Sequence, residues 1–257
     1  MKLAVYSIAA LFSLDVAPSC GRSPHRPIPP PPAVETPLLA PPIGPSGAVL
    51  GKVKFLGKSP EMSEQKRGVD PFCKTKAMKE EEVVVSSEGT LKNVLLRVQG
   101  APATPPPTEK ATMDQRDCRY EPRVLPVVRG QKVAIHNGDP TLHNVHGYLG
   151  TKTEFNDVQV PESPNLDRVF EEDGVMHKLK CDIHQWMTGY VWVQSNRYFA
   201  VTGDDGSYRI EGVPVGTYKL WAWHERFGWK SAELIIEIAK PATVNFEYTE
   251  KDNTAPR

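Results

Sequence analysis

The sequence lacks two features that would indicate common classes of protein. It has no uninterrupted apolar run of about 18 residues, which excludes a multi-span membrane protein. It also has no excess of either charge, because Lys and Arg together number 31 and Asp and Glu also number 31. A nucleic-acid-binding protein favours a basic stripe, so this balance gives no support for a nucleic-acid partner.

Recognisable catalytic motifs are missing as well. We find no serine on a nucleophile turn with an accompanying histidine and aspartate, and no glycine-rich loop that would hold a phosphate. The acidic run at 80–82 is interpreted as a solvated part of the surface. The sequence therefore supports neither hydrolase nor transferase activity, and we expect that the protein is not an enzyme.

The N-terminus has the pattern of an export signal. Lys2 precedes the apolar stretch Leu3–Leu14, and small residues then lead to Cys20. Residues 1–20 resemble a bacterial lipoprotein signal, in which Cys20 would become the acylated first residue. The alternative is an ordinary cleaved signal. We expect an exported protein, periplasmic or anchored in the outer membrane of a bacterium, that contacts the membrane only through its lipid.

The next segment, residues 21–46, is dense in proline and is typical of an extended polyproline II linker. From Gly47 onward, short stretches of alternating β-branched and aromatic residues are separated by turn residues, which predicts an all-β sandwich. Residues 63–79 are the one segment with a weak helical pattern.

Cysteine is scarce, with four residues in 257. Cys73 and Cys118 lie in polar, loop-like segments, and an oxidising compartment favours pairing of such thiols. A disulfide between them would close a loop of about 45 residues and stabilise the fold by roughly 3–4 kcal/mol.

A second cysteine-containing motif points to a metal. Cys181, His184 and Met187 lie within seven residues, too close together to be successive inward positions of one strand, so we place them in a loop at a strand end. Cu(I) prefers sulfur and Cu(II) suits imidazole, while a weak axial thioether tunes the potential. A thiolate, imidazoles and a thioether thus suit a copper ion that changes oxidation state.

The spacing C-x-x-H-x-x-M, followed by G-x-V-x-V at 189–193, resembles the ligand loop of the short-loop cupredoxins, the amicyanin type. The upstream segment GQKVAIHNGDPTLHNVHGY at 130–148 is similar to the segment of that family in which the first histidine of H-N-V-H is a ligand. The resemblance covers 124–193, whereas 58–123 departs from it with a long insert.

The resemblance implies a cupredoxin-like Greek-key sandwich with one mononuclear type 1 copper site. Its ligands would be His143, Cys181, His184 and Met187. Asn144 would brace the cysteine sulfur and connect the two ligand loops. His184 would provide a partly exposed edge for electron entry.

Other ligand sets stay open. His146 is the alternative to His143 as the upstream ligand. Zinc is disfavoured because methionine is a poor zinc ligand and no second cysteine lies near in the sequence. A binuclear copper centre would require another cysteine in the loop.

The C-terminal part has a different pattern. TGDDGSYRIEGVPVGTYKLWAW at 202–223 resembles the carboxypeptidase regulatory-like (transthyretin-like) β-sandwich. We therefore divide the folded part into a cupredoxin-like domain with an N-terminal extension at 47–194 and a smaller sandwich at 195–250. In the alternative division, the strand at 47–57 opens the smaller sandwich and the cupredoxin-like part is inserted into it.

These features predict an exported type 1 (blue) copper protein that transfers single electrons to periplasmic or surface redox proteins. One alternative is a copper-handling protein that does not shuttle electrons. The other is an adhesion module that binds polysaccharide through Trp221, Trp223 and Trp229, because exposed aromatic rings stack on such ligands.

Overall fold

The computed structural model describes residues 44–252, apart from 69, 76 and 239. The predicted signal peptide at 1–20, its Cys20 and nearly all of the predicted linker at 21–46 lie outside the described residues. Within the described part, no helix is long and apolar enough to cross a membrane.

The described chain is almost entirely β-structure, so the predicted all-β fold class is confirmed. The strands are β1 (Ser46–Phe55), β2 (Leu95–Gln99), β3 (Ala111–Arg116), β4 (Arg119–Glu121), β5 (Val124–Val128), β6 (Lys132–Asn137), β7 (His143–Leu149), β8 (Lys152–Gln159), β9 (Leu166–Val169), β10 (Val175–Lys180), β11 (Thr188–Gln194), β12 (Phe199–Val201), β13 (Ser207–Pro214), β14 (Gly216–His224), β15 (Gly228–Ile236), β16 (Ala242–Thr243) and β17 (Phe246–Tyr248).

Among the described residues, helical structure is limited to two short 3-10 turns, Cys73–Thr75 and Glu250–Asp252. The weak helical expectation for 63–79 is therefore wrong for the described residues of that segment. The carboxylate of Asp70 accepts the backbone N–H groups of Phe72 (2.9 Å) and Cys73 (2.8 Å), which favours a turn over a continuing helix.

One sandwich is built from both ends of the described chain. One of its sheets has the order β13-β1-β16, with β17 also paired to β1, and the facing sheet has the order β12-β2-β14-β15. The two sheets bury a continuous apolar core that includes Val53, Leu96, Ile210 and Leu220. Along β14, Leu220 and Ala222 face this core, whereas Trp221 and Trp223 alternate to the other face.

The strand pairing crosses the domain boundary expected after residue 194. Strands β1 and β2 lie before that boundary, and their partners β13 and β14 lie after it. Strand β1 is antiparallel to β13, with Val49 opposite Ile210, and β2 is antiparallel to β14, with Leu96 opposite Ala222. The physical reason is burial, since the apolar residues of β1 and β2 cover the inner faces that a block of about 55 residues alone would leave exposed. In the alternative division given above, the strand at 47–57 opens the smaller sandwich, and here β1 pairs with β13 of that sandwich.

The second sandwich spans β3 to β11. Its sheets have the orders β5-β11-β10-β7-β8 and β4-β3-β6-β9, and they enclose a separate apolar core. Strand β11 packs against both sandwiches. Val191 and Val193 face this core, whereas Tyr190 and Trp192 face the other sandwich. Because side chains along β11 point alternately to its two faces, this one strand connects the two sandwiches.

A buried polar group strengthens the junction. The guanidinium of Arg123 pairs with the carboxylate of Glu225 through two nitrogen atoms, and its Nη2–Oε2 distance is 2.9 Å. The hydroxyl of Tyr190 donates to the same carboxylate at 3.1 Å. Bidentate pairing of this kind restricts geometry, so β14 is held in a fixed position beside β11.

Candidate metal centre

The loop between β10 and β11 turns three side chains inward. The backbone N–H of Met187 donates to the carbonyl of His184 at 2.8 Å, and the N–H of Cys181 donates to the carbonyl of Met187 at 3.4 Å. These bonds fold residues 181–187 into a compact turn. The side chains of Cys181, His184 and Met187 all become buried, which explains why the three residues follow one another at intervals of three.

Close packing fixes the end of this loop. A Cβ atom at Gly189 would lie 2.9 Å from Cβ of Tyr120, so a side chain at position 189 would displace that ring. The hydroxyl of Tyr120 lies 3.2 Å from the carbonyl oxygen of Lys180 and 3.3 Å from that of Asn144. Tyr120 therefore connects the strand that precedes the loop to the strand that carries the upstream histidine.

His143 reaches the loop because it is the first residue of β7. Strand β7 pairs with β10 in a register that sets His146 opposite Lys180, one residue before Cys181. The Nδ1 atom of His143 lies 2.9 Å from Nδ1 of His184 and 4.0 Å from Sγ of Cys181. The Cys181 Sγ to His184 Nδ1 distance is 3.8 Å.

These atoms form a candidate ligand set. The donor atoms of His143, Cys181 and His184 lie within 4.8 Å of one another, and all three residues are buried. One sulfur and two imidazole nitrogens, with a buried thioether in the same loop, form the set that suits copper in a site that cycles between oxidation states. The residues present therefore fit a mononuclear copper ion.

The outer nitrogen of His143 has a carboxylate partner. The Nε2 atom lies 2.9 Å from Oδ2 of Asp139, and both side chains are almost fully buried. A carboxylate at this position favours the tautomer with the proton on Nε2, so Nδ1 presents its lone pair to the centre. The same carboxylate accepts the backbone N–H groups of Asp117 (2.7 Å) and Cys118 (2.8 Å).

Asn144 braces the sulfur. Its Oδ1 atom lies 3.3 Å from Sγ of Cys181 and accepts the backbone N–H of Asp182 at 2.7 Å. Its Nδ2 group donates to Asp182 at 3.0 Å and to Asn156 at 2.7 Å. The asparagine, on β7, thus connects that strand to the loop that begins at Cys181.

The electrostatics of the centre favour a thiolate. Burial raises the pKa of Cys181, but the hydrogen bonds from His143, His184 and Asn144 outweigh it and lower that pKa to about 6. Burial lowers the pKa of His143, but its contacts with Asp139 and Cys181 outweigh burial and raise it. A cysteine binds a metal ion as the thiolate. The surroundings of Cys181 therefore favour the form that metal binding requires.

A segment that the cupredoxin resemblance does not cover closes the site. Cys73 and Cys118 form a disulfide with an S–S distance of 1.98 Å, the pairing considered from the sequence. Sγ of Cys73 lies 3.6 Å from Nε2 of His184, and Oδ2 of Asp70 lies 3.4 Å from the same nitrogen. Because this segment covers it, His184 is only 2% exposed, and the expectation of an exposed electron-entry edge on His184 is wrong.

Two further groups of potential ligands share the histidines. Asp70 and Cys73 cluster with His184, and Cys118 and Asp139 cluster with His143. The sulfur atoms of Cys73 and Cys118 are bonded to each other, so neither is a thiolate. The centre at Cys181 is therefore the one with a free sulfur.

His146 is not part of any of these groups in the described chain. Its ring contacts the carboxylate of Asp182, the hydroxyl of Thr153 and the hydroxyl of Tyr148. The structure therefore brings His143, and not the alternative His146, to Cys181.

Three residues that contact the histidines of the site were not predicted from the sequence: Asp139, Asp70 and Trp186. The spacing of Asp139 four residues before His143 was the available signal, although it is not specific. Asp70 reaches His184 from a distant part of the chain, and the local sequence contained no sign of that contact. Trp186 lies two residues after His184 in the same loop, with its ring centroid 5.1 Å from that of the His184 ring.

Comparison with known proteins gave only structural likenesses. No family model matches the chain, and no curated protein matches it. Among solved structures, a purple cupredoxin from Nitrosopumilus maritimus is 26% identical over 33% of this chain and 100% of that chain, with a TM-score of 0.30. Amicyanin from Paracoccus versutus is 19% identical over 38% of this chain and 97% of that chain, with a TM-score of 0.31. A Cu(I) form of an amicyanin mutant is 22% identical over 38% of this chain and 98% of that chain, and its TM-score is also 0.31. The metal assignment rests on the chemistry of this chain's own residues.

Proposed function

We propose that this protein is an exported type 1 copper protein that transfers single electrons, and that it is not an enzyme. The observation that carries the proposal is the convergence of the Cys181 sulfur with the Nδ1 atoms of His143 and His184 in a buried core. The chemistry of this donor set, not its position in the chain, selects copper.

The proposed ligands are His143, Cys181 and His184, with Met187 as the weak axial ligand. Copper held there would supply a one-electron couple, since sulfur suits Cu(I) and imidazole suits Cu(II). Met187 is 1% exposed and lies in the same core, which supports this assignment.

The neighbouring side chains would keep the ligands in place in both oxidation states. Asp139 holds the proton on Nε2 of His143, and Oδ1 of Asn144 holds the loop next to Cys181 by accepting the backbone N–H of Asp182. Contacts behind the ligands fix their orientation and tune the metal. Ligands fixed by a packed core do not have to rearrange when the charge on the site changes, which suits electron transfer.

We place electron exchange at Trp186, because His184 is covered. The indole ring of Trp186 contacts the His184 ring and its N–H donates to the carbonyl of Cys118 at 3.0 Å, while part of the ring remains exposed. The proposed partners are periplasmic or surface redox proteins that approach this ring.

We also propose an oxidising, exported location. The Cys73–Cys118 disulfide supports it, because such bonds persist outside the reducing cytosol. We include acylation of Cys20, which would anchor the protein in a bacterial outer membrane. Only the N-terminal sequence pattern supports this part of the proposal.

A second candidate function is copper handling without electron transfer. The burial of His184 beneath Asp70 and Cys73 favours it, since a fully covered ligand gives a redox partner no direct contact. Such a protein would hold copper and pass it on slowly.

Voltammetry and stopped-flow reaction with a reduced c-type cytochrome separate the two candidates. An electron carrier is expected to give a reversible one-electron wave and to retain its copper through many cycles. Cys181→Ser, which removes the sulfur ligand, should abolish the wave. Copper that stays bound but does not exchange electrons with the cytochrome would assign the protein to copper handling.

A further inference from the structure

A second candidate site lies at the junction of the two sandwiches, away from the metal centre. The outer face of β14 carries Trp221 and Trp223, and pairing with β15 sets Trp229 directly opposite Trp223. From the other sandwich, β11 contributes Trp192. Together with Arg97, these rings line a cleft of about 380 Å³.

The rings hold one another in fixed positions. The Trp229 centroid lies 5.3 Å from that of Trp192, 5.9 Å from that of Trp221 and 6.2 Å from that of Trp223. Trp229 nevertheless remains 39% exposed. A rigid, partly exposed aromatic surface reduces the entropy that binding would cost.

Arg97 is the charged group of this cleft. Its guanidinium lies 4.7 Å from the Trp192 ring centroid and 5.4 Å from that of Trp229. Among the described residues its Nε atom is buried without a hydrogen-bond partner. Burial lowers the pKa of Arg97, and the nearby exposed Asp173 only partly offsets that effect. Within the part of the chain that the structure describes, this partly buried cation therefore has no carboxylate at ion-pair distance.

The indole N–H groups of the cleft divide into two that are hydrogen-bonded and two that are not. The indole N–H groups of Trp221 and Trp192 donate to Gln99 and Gln194, whereas those of Trp223 and Trp229 have no acceptor in the described chain. None of the lining residues is acidic. Lys219, which does not line the cleft, lies beside it with Nζ 5.6 Å from the Trp221 ring centroid.

We propose that this cleft binds a ring that carries a carboxylate, with the ring stacked on Trp229 and the carboxylate paired to Arg97. Guanidinium and carboxylate form strong bidentate hydrogen bonds, and a mostly apolar pocket with a few convergent polar groups is the usual form of a ligand site. A hexuronic acid unit of a polysaccharide and a free aromatic acid share this chemistry. The proposal is independent of copper.

Titration of the full chain tests the proposal through tryptophan fluorescence and calorimetry. The probes are a hexuronic acid oligosaccharide, a neutral oligosaccharide of the same length, and benzoate. We expect saturable binding of an acid and about tenfold weaker binding, or none, of the neutral sugar. Binding of the oligosaccharide would assign a polysaccharide source, and binding of benzoate alone would assign an aromatic acid.

Variants make the test specific. Arg97→Gln should weaken acid binding by about tenfold or more, the size expected for loss of a charge-assisted hydrogen bond. Arg97→Lys keeps the charge and serves as the variant least disruptive to folding; it should also bind more weakly, because it lacks the planar fork. Arg209→Gln, which removes an exposed arginine on β13, is the matched control.

Cys181→Ser should bind the acid as the unaltered protein does, so failure of the copper proposal would not affect this test. Absence of saturable binding of either acid would overturn the proposal. Equal affinity for the acidic and neutral sugars, or acid binding unchanged in both Arg97 variants, would overturn it as well.

Discussion

The Sγ atom of Cys73 lies 3.6 Å from Nε2 of His184, so the disulfide contacts the outer edge of a proposed copper ligand. Asp70 approaches the same nitrogen and is itself fixed by the hydroxyl of Thr141 at 2.8 Å. The segment that contains Cys73 therefore has two roles: it stabilises the fold through the bond to Cys118, and it covers His184.

The first prediction concerns this cover. Cys73→Ser combined with Cys118→Ser should lower the free energy of unfolding by roughly 3–4 kcal/mol, because the unfolded chain regains its freedom. It should also speed removal of copper by a chelator. Serine is preferable to chemical reduction, since free thiols would add new copper ligands. Urea unfolding and the rate of copper loss are the two measurements, and an unchanged rate would show that the segment does not limit access.

The second prediction concerns the carboxylate behind His143. Asp139→Asn should reduce copper affinity by about 10- to 100-fold, the usual effect of losing a partner behind a ligand. Asp114→Asn is the matched control, because Asp114 contacts the more exposed His136 at 2.9 Å. Competition with a chelator of known affinity measures both variants. Equal losses in the two would contradict the role given to Asp139.

The third prediction is a pH dependence of the metal-free protein. The pKa of Cys181 is lowered to about 6 from 9.0, so its thiolate absorbance should appear with a midpoint near pH 6. Between pH 6 and pH 9 the unfolded chain still binds this proton and the folded chain does not, so the contribution of Cys181 to stability should rise with pH across that window and be lost below it. Subtraction of the Cys181→Ser titration isolates this thiol from Cys20 and from the histidines. A midpoint near 9 would contradict the account.

The fourth prediction concerns electron exchange through Trp186. Trp186→Phe and Trp186→Leu both remove the indole N–H that donates to Cys118, and they differ in whether an aromatic ring remains. Exchange with a cytochrome should be slower in the leucine variant than in the phenylalanine variant, while the visible spectra of the two should agree. Equal rates in both variants would place the path elsewhere.

The sequence predicted the local features of the fold and the site. The alternation along β11 and the turn residues between strands indicated an all-β chain. The intervals among Cys181, His184 and Met187 indicated a loop with inward side chains. Each of these features depends on residues that are close together in the chain, which is why a pattern could predict it.

The remaining features depend on contacts between distant residues. Nothing local sets β1 beside β13 rather than beside the strands that follow it, because the edge of a strand has the same hydrogen-bonding groups in either arrangement. The burial of His184 likewise depends on Asp70 and Cys73, which lie more than 100 residues upstream. The cleft at Trp229 requires both sandwiches to be in place.

The visible absorption spectrum of the copper-loaded protein tests the central claim most directly. Coordination by the Cys181 thiolate and the imidazoles of His143 and His184 predicts an intense thiolate-to-copper charge-transfer band. Cys181→Ser should abolish the band, whereas His146→Ala, a histidine near the site but outside the ligand group, should retain it. A protein that binds no copper, or binds it without such a band, would contradict the account.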